Sequence, residues 1–168
     1  MIALHSIYHL VEKPVPTEKE SCMAKSFFRS VMKIFMVIGI HLYKISSGRI
    51  GGRLSGLNVL LLTTTGRKSG KQRTTPLGYF RDQEGSYIII GSNAGFNTHP
   101  AWFHNLKHKP QVTIQVKDKE FKVNAEVAGP GRRNQLWSRL VELAPFYDNY
   151  TKKTSREIPV VILQPIQN

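Results

Sequence analysis

A mainly β fold with a few helices, its antiparallel sheet closed into a small barrel, is what this sequence predicts. Three observations carry that expectation. Six runs between Asn58 and Pro165 are enriched in β-branched residues and alternate with a period of two. The connections Asp82-Gln83-Glu84-Gly85 and Lys117-Asp118-Lys119 are too short for parallel crossovers, so they join antiparallel neighbours. Few helical patterns interrupt the strands, and a large antiparallel sheet with little helix to cover it satisfies its edges by closing.

In chain order, residues 1–20 hold Pro14 and Pro16 among charges and read as a loose arm. A helical pattern follows from about residue 25 to 46, with Phe28, Val31, Phe35, Ile38 and Leu42 on one face and Lys25, Arg29 and Lys33 on another. Its continuous apolar run, Ile34 to Tyr43, is ten residues, short of the roughly 20 needed to span a bilayer. Packing on the domain and contact with an anionic membrane surface both fit this helix. A secretory signal fits poorly, because Lys44 ends the run and no small-residue cleavage site follows. The chain is therefore expected to divide into an arm and helix over residues 1–50 and a barrel domain over 51–168.

Strands are predicted at Asn58–Thr65, Thr74–Arg81, Ser86–Ser92, Gln111–Lys117, Lys119–Ala128 and Pro159–Pro165. One helix should start near Pro100 and run through Trp102, Phe103 and Leu106. Another should span about Gly131–Ala144, with Leu136, Trp137, Leu140 and Val141 inward and Arg132, Arg133 and Arg139 outward.

Composition narrows the function. With 24 Lys and Arg against 11 Asp and Glu, the net charge is +13, which favours an anionic partner: nucleic acid, an anionic membrane or a phosphorylated ligand. Cys22 is the single cysteine, so no intramolecular disulfide forms and a reducing cytoplasmic compartment is expected. The charge has one clear focus. Gly66-Arg67-Lys68-Ser69-Gly70-Lys71-Gln72-Arg73 follows an apolar strand, and residues 66–81 contain no carboxylate. Two glycines, exposed N–H groups and four cations predict a cradle for phosphate; a solvated hairpin tip is the plainer alternative.

Other chemistries are mostly excluded. Gly66 to Lys71 is too short for a Walker A loop, and Gln72 stands where a magnesium-binding Ser or Thr would be needed. His104 and His108 lie in HNLKH, without the glutamate of the zinc-protease motif, so with His99 they read as surface or capping residues and no metal is expected. No G-x-S-x-G elbow occurs. Catalysis then depends on a bound cofactor.

LLTTTGRKSGKQRTTPL, GSNAGFNTHPAWFHNLKHKPQV and LWSRLVELAPFYDNYTKKTSREIPVVILQP, in this order, resemble the deazaflavin-dependent nitroreductase family over about residues 55–166. The resemblance implies a split β-barrel of the FMN-binding type and coenzyme F420, with FMN as the alternative. It implies that Arg67, Lys68, Ser69 and Arg73, with Pro76 on the following strand, hold the phosphodiester and glutamyl tail. Ser92, Asn93, Ala94 and Gly95, with Pro100, Ala101 and Trp102, would line the deazaflavin ring, although a large aromatic inside a short helix is usually core. Asn105 would orient the turn. Tyr147 and Tyr150 would stand on the substrate side, Tyr147 as proton donor and Ser92 orienting an acceptor oxygen.

The implied activity is hydride transfer from reduced F420 to a quinone-like or nitroaromatic acceptor. Ala144 and Gly78 depart from the aromatics of well-known members, which predicts a roomier pocket and a flat apolar acceptor. The amphipathic helix would bring the pocket to membrane-dissolved quinone. Two other classes are weighed: a non-catalytic carrier of F420 or FMN, and a basic nucleic-acid module. The latter is disfavoured because no base-stacking aromatic stands beside the basic turn.

Overall fold

A computed structural model describes residue 31, residues 34–54 and residues 56–166. The first helical turns expected near residues 25–30, and the arm before them, lie outside the described residues. Helix α1 covers residues 34–45. Strands follow as β1 (Arg53–Leu54), β2 (Leu57–Thr65), β3 (Gln72–Arg81) and β4 (Tyr87–Ile90). After them come α2 (Ala101–His108), β5 (Gln111–Val116), β6 (Lys119–Val127), α3 (Pro130–Leu143), α4 (Asp148–Thr151) and β7 (Val160–Pro165). Two 3-10 turns, Asn93–Gly95 and Pro145–Tyr147, precede α2 and α4.

The sheet order is β1-β2-β3-β4-β7-β6-β5, and β5 returns to β2. Six antiparallel strands thereby form a closed barrel, with the two-residue β1 paired outside it on β2. Closure follows from the alternation in the strands. Leu60, Leu62, Ile114, Val123, Val161 and Leu163 point inward and meet Trp102, Phe103 and Leu106 of α2. The opposite face of the β4 and β7 strands, through Ile88, Ile90, Val160 and Ile162, is covered by Leu136 and Leu140 of α3 and by Tyr147. Each leucine or isoleucine so buried contributes on the order of 1.5–3 kcal/mol.

Three differences from expectation have physical causes. Residues from Ile38 onward form one compact unit. Tyr43, only 2% exposed, ties α1 to this unit: it packs on Val59 and Leu61, donates its hydroxyl hydrogen to the Val59 carbonyl at 2.8 Å, and accepts from Lys117 N–H at 2.9 Å. The buried side of α1 is therefore that of Tyr43 and Ile40, while Ile38 and Leu42 of the expected apolar stripe are exposed. Finally, Pro100 is the N-cap of α2 rather than its first residue, and the segment after α3 coils into a 3-10 turn and α4 where no helix was expected.

β3 is paired on its two sides over different lengths. Against β2 it pairs from Gln72 to Tyr79, but against β4 only from Tyr79 to Arg81. Among the described residues the second edge from Gln72 to Gly78 has no strand partner, and Pro76, which has no N–H to donate, is tolerated there.

Candidate functional site

Two turns flank α2. Its C-terminal half touches the basic turn, and its N-terminus continues from the Ser92–His99 segment. Eight residues of helix separate them by about 12 Å.

The basic turn joins β2 to β3 and is internally bonded. Gly66 N–H donates to Lys71 O at 2.8 Å, Gly70 N–H to Gly66 O at 2.8 Å, Ser69 N–H to Gly66 O at 3.2 Å, and Lys71 N–H to the Ser69 hydroxyl at 3.4 Å. Arg67 N–H donates to Asn105 Oδ1 at 3.1 Å, and Asn105 Nδ2 donates to Thr64 Oγ1 at 3.0 Å. Asn105 is buried and ties α2 to the turn, as expected of it. A Cβ on Gly66 would stand 2.8 Å from Ser69 Oγ and 3.2 Å from Lys71 O, so a larger residue there would push Ser69 and the Lys71 carbonyl aside.

These bonds correct the expected amide cradle. Most of the turn's N–H groups are already engaged, leaving Lys68 N–H without a partner among the described residues. What the turn offers an anion is therefore mainly its side chains. Arg67, Lys68, Lys71 and Arg73 are exposed, and no ion pair among the described residues involves them. A cleft of about 260 Å³ lies against the turn, lined by Thr65, Gly66, Arg67, Gly70, His108 and Lys109. His108 and Lys109 are cations or potential cations that the motif alone did not bring to this place.

The second turn is backbone-strained. Asn93 and Ala94 adopt left-handed φ of 48° and 53°, followed by Gly95 at 82°. Each non-glycine residue in that region costs about 1–2 kcal/mol, a cost that persists where surroundings impose the shape. Asn93 Nδ2 ties the turn to the Thr98 carbonyl at 2.8 Å. The Ser92 hydroxyl has no partner among the described residues, so it is available to a ligand. Pro100 and Ala101 reach the surface at the start of α2, whereas Trp102 is buried in the barrel core, stacked edge-on to Phe103 at 6.2 Å. Trp102 is therefore a core residue and presents no exposed face at this turn.

The tyrosines close the other side. A Cβ on Gly95 would lie 3.5 Å from the Tyr150 ring, which joins the second and third motifs in space. Tyr147 and Tyr150 rings stand 5.6 Å apart at 87°. Tyr147 is buried, and its hydroxyl lies 3.9 Å from where a Gly78 Cβ would be. Gly78 thus lies against Leu57 and this phenol, where a Cβ would stand 3.3 Å from the Leu57 side chain, at the far end of the β3 edge from the basic turn. Ala144 does not add room: it is packed in the cluster beneath Tyr147. Burial, and secondarily Tyr150, pushes the Tyr147 phenol up to about 12.

A split barrel that sets a cationic turn, a strained small-residue turn and a protonated phenol around one open strand edge is a cofactor-binding oxidoreductase framework. More specifically, the chain belongs to the F420H(2)-dependent quinone reductase family, whose model matches residues 36–165. An F420H(2)-dependent quinone reductase of Mycobacterium tuberculosis is 44% identical over 126 residues, covering 73% of this chain and 84% of that protein. The solved F420-H2 dependent reductase FDR-A is 38% identical, with a TM-score of 0.58 over 63% of this chain and 93% of its own. A second solved structure, described as a domain-swapped dimer, is 30% identical with a TM-score of 0.60, covering 84% of this chain and 99% of that one.

Proposed function

We propose that this chain reduces quinones with electrons from F420H2, and that its cofactor lies along the open edge of β3. The observation that supports this most directly is that edge, running from the cationic turn to Gly78 and the Tyr147 hydroxyl. Bound F420H2 supplies a hydride to a two-electron acceptor. Arg67, Lys68, Ser69 and Arg73 bind its phosphodiester and acidic tail through side chains, with Pro76 flanking the path. Ser92, Asn93, Ala94, Gly95, Pro100 and Ala101 form the wall for the ring. Tyr147 offers its proton in a hydrogen bond to an acceptor oxygen, Ser92 orients that oxygen, and Tyr150 covers the acceptor's flat face.

Tryptophan-quenching titrations with F420 and FMN, paired with anaerobic oxidation of F420H2 by menadione, test this reading. F420 should bind more tightly than FMN, and the Lys68→Ala/Arg73→Ala double variant should bind it at least tens-fold more weakly. Charge-assisted bonds of about 1.5 kcal/mol each support that size. Unchanged F420 affinity in the double variant would remove the turn from the site. Tight binding without menadione-dependent turnover would make the protein a carrier.

The same reading extends to membrane-dissolved acceptors. Ile38, Leu42, Ile45, Ile50 and Leu54 are exposed, with Lys44, Arg49 and Arg53 among them; apolar side chains edged by cations suit an anionic bilayer surface. No helix among the described residues is long and apolar enough to cross a membrane, so contact would be peripheral, on the cytoplasmic face. Co-sedimentation with anionic liposomes should fall at least severalfold in an Ile38→Ser/Leu42→Ser/Ile45→Ser variant. Equal sedimentation of the two proteins would refute the contact.

A further inference from the structure

One side chain from just before β7 holds much of the ring-facing turn. Arg156 Nη2 donates to the carbonyls of Gly91 at 2.9 Å and Ser92 at 2.8 Å, Nε donates to the Phe96 carbonyl at 2.9 Å, and Nη1 meets His99 Nδ1 at 3.1 Å. Since guanidinium only donates, His99 Nδ1 accepts, and the ring is held in the tautomer protonated at Nε2. Two residues earlier, Thr154 Oγ1 lies 2.7 Å from Asn97 Oδ1. Residues 154–156 therefore grip five positions between Gly91 and His99.

That grip matches a need. Asn93 and Ala94 sit left-handed in the middle of the gripped segment, a shape that requires outside support. A planar fork with donors in fixed directions can bind several carbonyls at once, which a lysine cannot. The partners are also all uncharged. Four carbonyls, those of Gly91, Ser92, Phe96 and Glu157, and an imidazole accept from Arg156, and no carboxylate pairs with it among the described residues. A whole positive charge thus stands directly behind the turn. Lys153 is a second cation at the turn, its stem packed against Gly95 and its ammonium 5.9 Å from the Tyr150 ring, while His104 and Lys107 act on His99 from α2.

We propose that Arg156 is a positioning residue that locks the Gly91–His99 turn in its ring-receiving shape, and that its unpaired charge favours the anionic state of an acidic heteroaromatic ring bound there. This rests on the reading of that turn as the wall for the deazaflavin. The ring of F420 carries an acidic hydroxyl whose ionisation changes its visible absorption, so the charge has a direct spectroscopic readout.

The test is a spectrophotometric pH titration of F420 bound to the wild-type protein, Arg156→Gln and Arg156→Lys, with amide hydrogen exchange on the same proteins. Bound F420 should ionise at a lower pH than free F420, and Arg156→Gln should lose at least half of that lowering. Arg156→Lys should keep the lowering but bind about tenfold more weakly. In it, the Gly95 and Phe96 amides should exchange at least tenfold faster while those of Leu60 and Val161 stay protected. An ionisation midpoint in Arg156→Gln equal to wild type overturns the charge. Unchanged exchange at Gly95 and Phe96 in Arg156→Lys, which retains the charge and tests the lock even if the glutamine variant does not fold, overturns the positioning role. Failure of the wild-type protein to alter F420 absorbance or fluorescence would instead overturn the cofactor reading beneath it.

Discussion

Burial of Tyr147 against Phe146, Trp137 and Tyr150, with ring centroids 4.6, 6.5 and 5.6 Å away, desolvates its phenol and raises it to about 12. Such a group stays protonated throughout the neutral range, so it can donate a hydrogen bond without first being recharged. Replacement by phenylalanine keeps the packing and removes only the donor. Tyr147→Phe should lower kcat by about 10²-fold, the size expected for one donor at developing negative charge, with F420 affinity nearly unchanged in the quenching titration. The raised value also bears on stability. A phenol that ionises at 10.0 when unfolded and about 12 when folded contributes fully below pH 10 and loses that contribution as pH rises towards 12. Urea midpoints should fall over that window in the wild-type protein and fall less in Tyr147→Phe.

Between elements, Asn105 does what neither α2 nor the basic turn could do alone. Its amide satisfies the Arg67 N–H and the Thr64 hydroxyl together, across separations of 38 and 41 residues. Alanine there would leave a buried polar partner unpaired, at a cost of about 1–3 kcal/mol. Asn105→Ala should therefore lower the unfolding free energy by that amount and weaken F420 binding, because the turn's cations lose their common orientation. A variant with wild-type stability and wild-type F420 affinity would show that the turn is held by its own four internal bonds. The basic turn was legible in the sequence because glycines and a local charge cluster act within a few residues. Its engaged amides were not legible, since they depend on how tightly Gly66 and Lys71 close the loop.

Across the whole molecule, residues 154–156 are joined to the Gly91–His99 segment, and this makes folding stability depend on acid. His99 sits among positive charges: desolvation, then Arg156, His104 and Lys107, lower its pKa from 6.5. A histidine depressed in the folded state binds fewer protons there than when unfolded, so its contribution is complete above pH 6.5 and is lost as pH falls below it. Chemical denaturation at pH 7.5 and pH 5 should show a loss at the lower pH that is smaller in His99→Gln, whose carbonyl can still accept from Arg156. An equal loss in both proteins would place the acid sensitivity elsewhere.

The six barrel strands, their antiparallel pairing and the location of the cationic turn were determined by the sequence itself, because period-two alternation, short connections and glycine-bounded turns are local properties, whereas the two-residue β1 was not foreseen. The open edge of β3, the left-handed Ala94, the buried Tyr43 anchor and the convergence of Arg156 on Gly91, Ser92, Phe96 and His99 were decided only in three dimensions. Nothing near Ser155 or Glu157 in the chain distinguishes Arg156 from the protein's other arginines. Its role arises because β7 pairs with β4, which carries a guanidinium from near the C-terminus to carbonyls about 60 residues earlier. Local patterning chooses the elements, but hydrogen bonds between distant segments exist only once closure of the barrel has brought their donors and acceptors together.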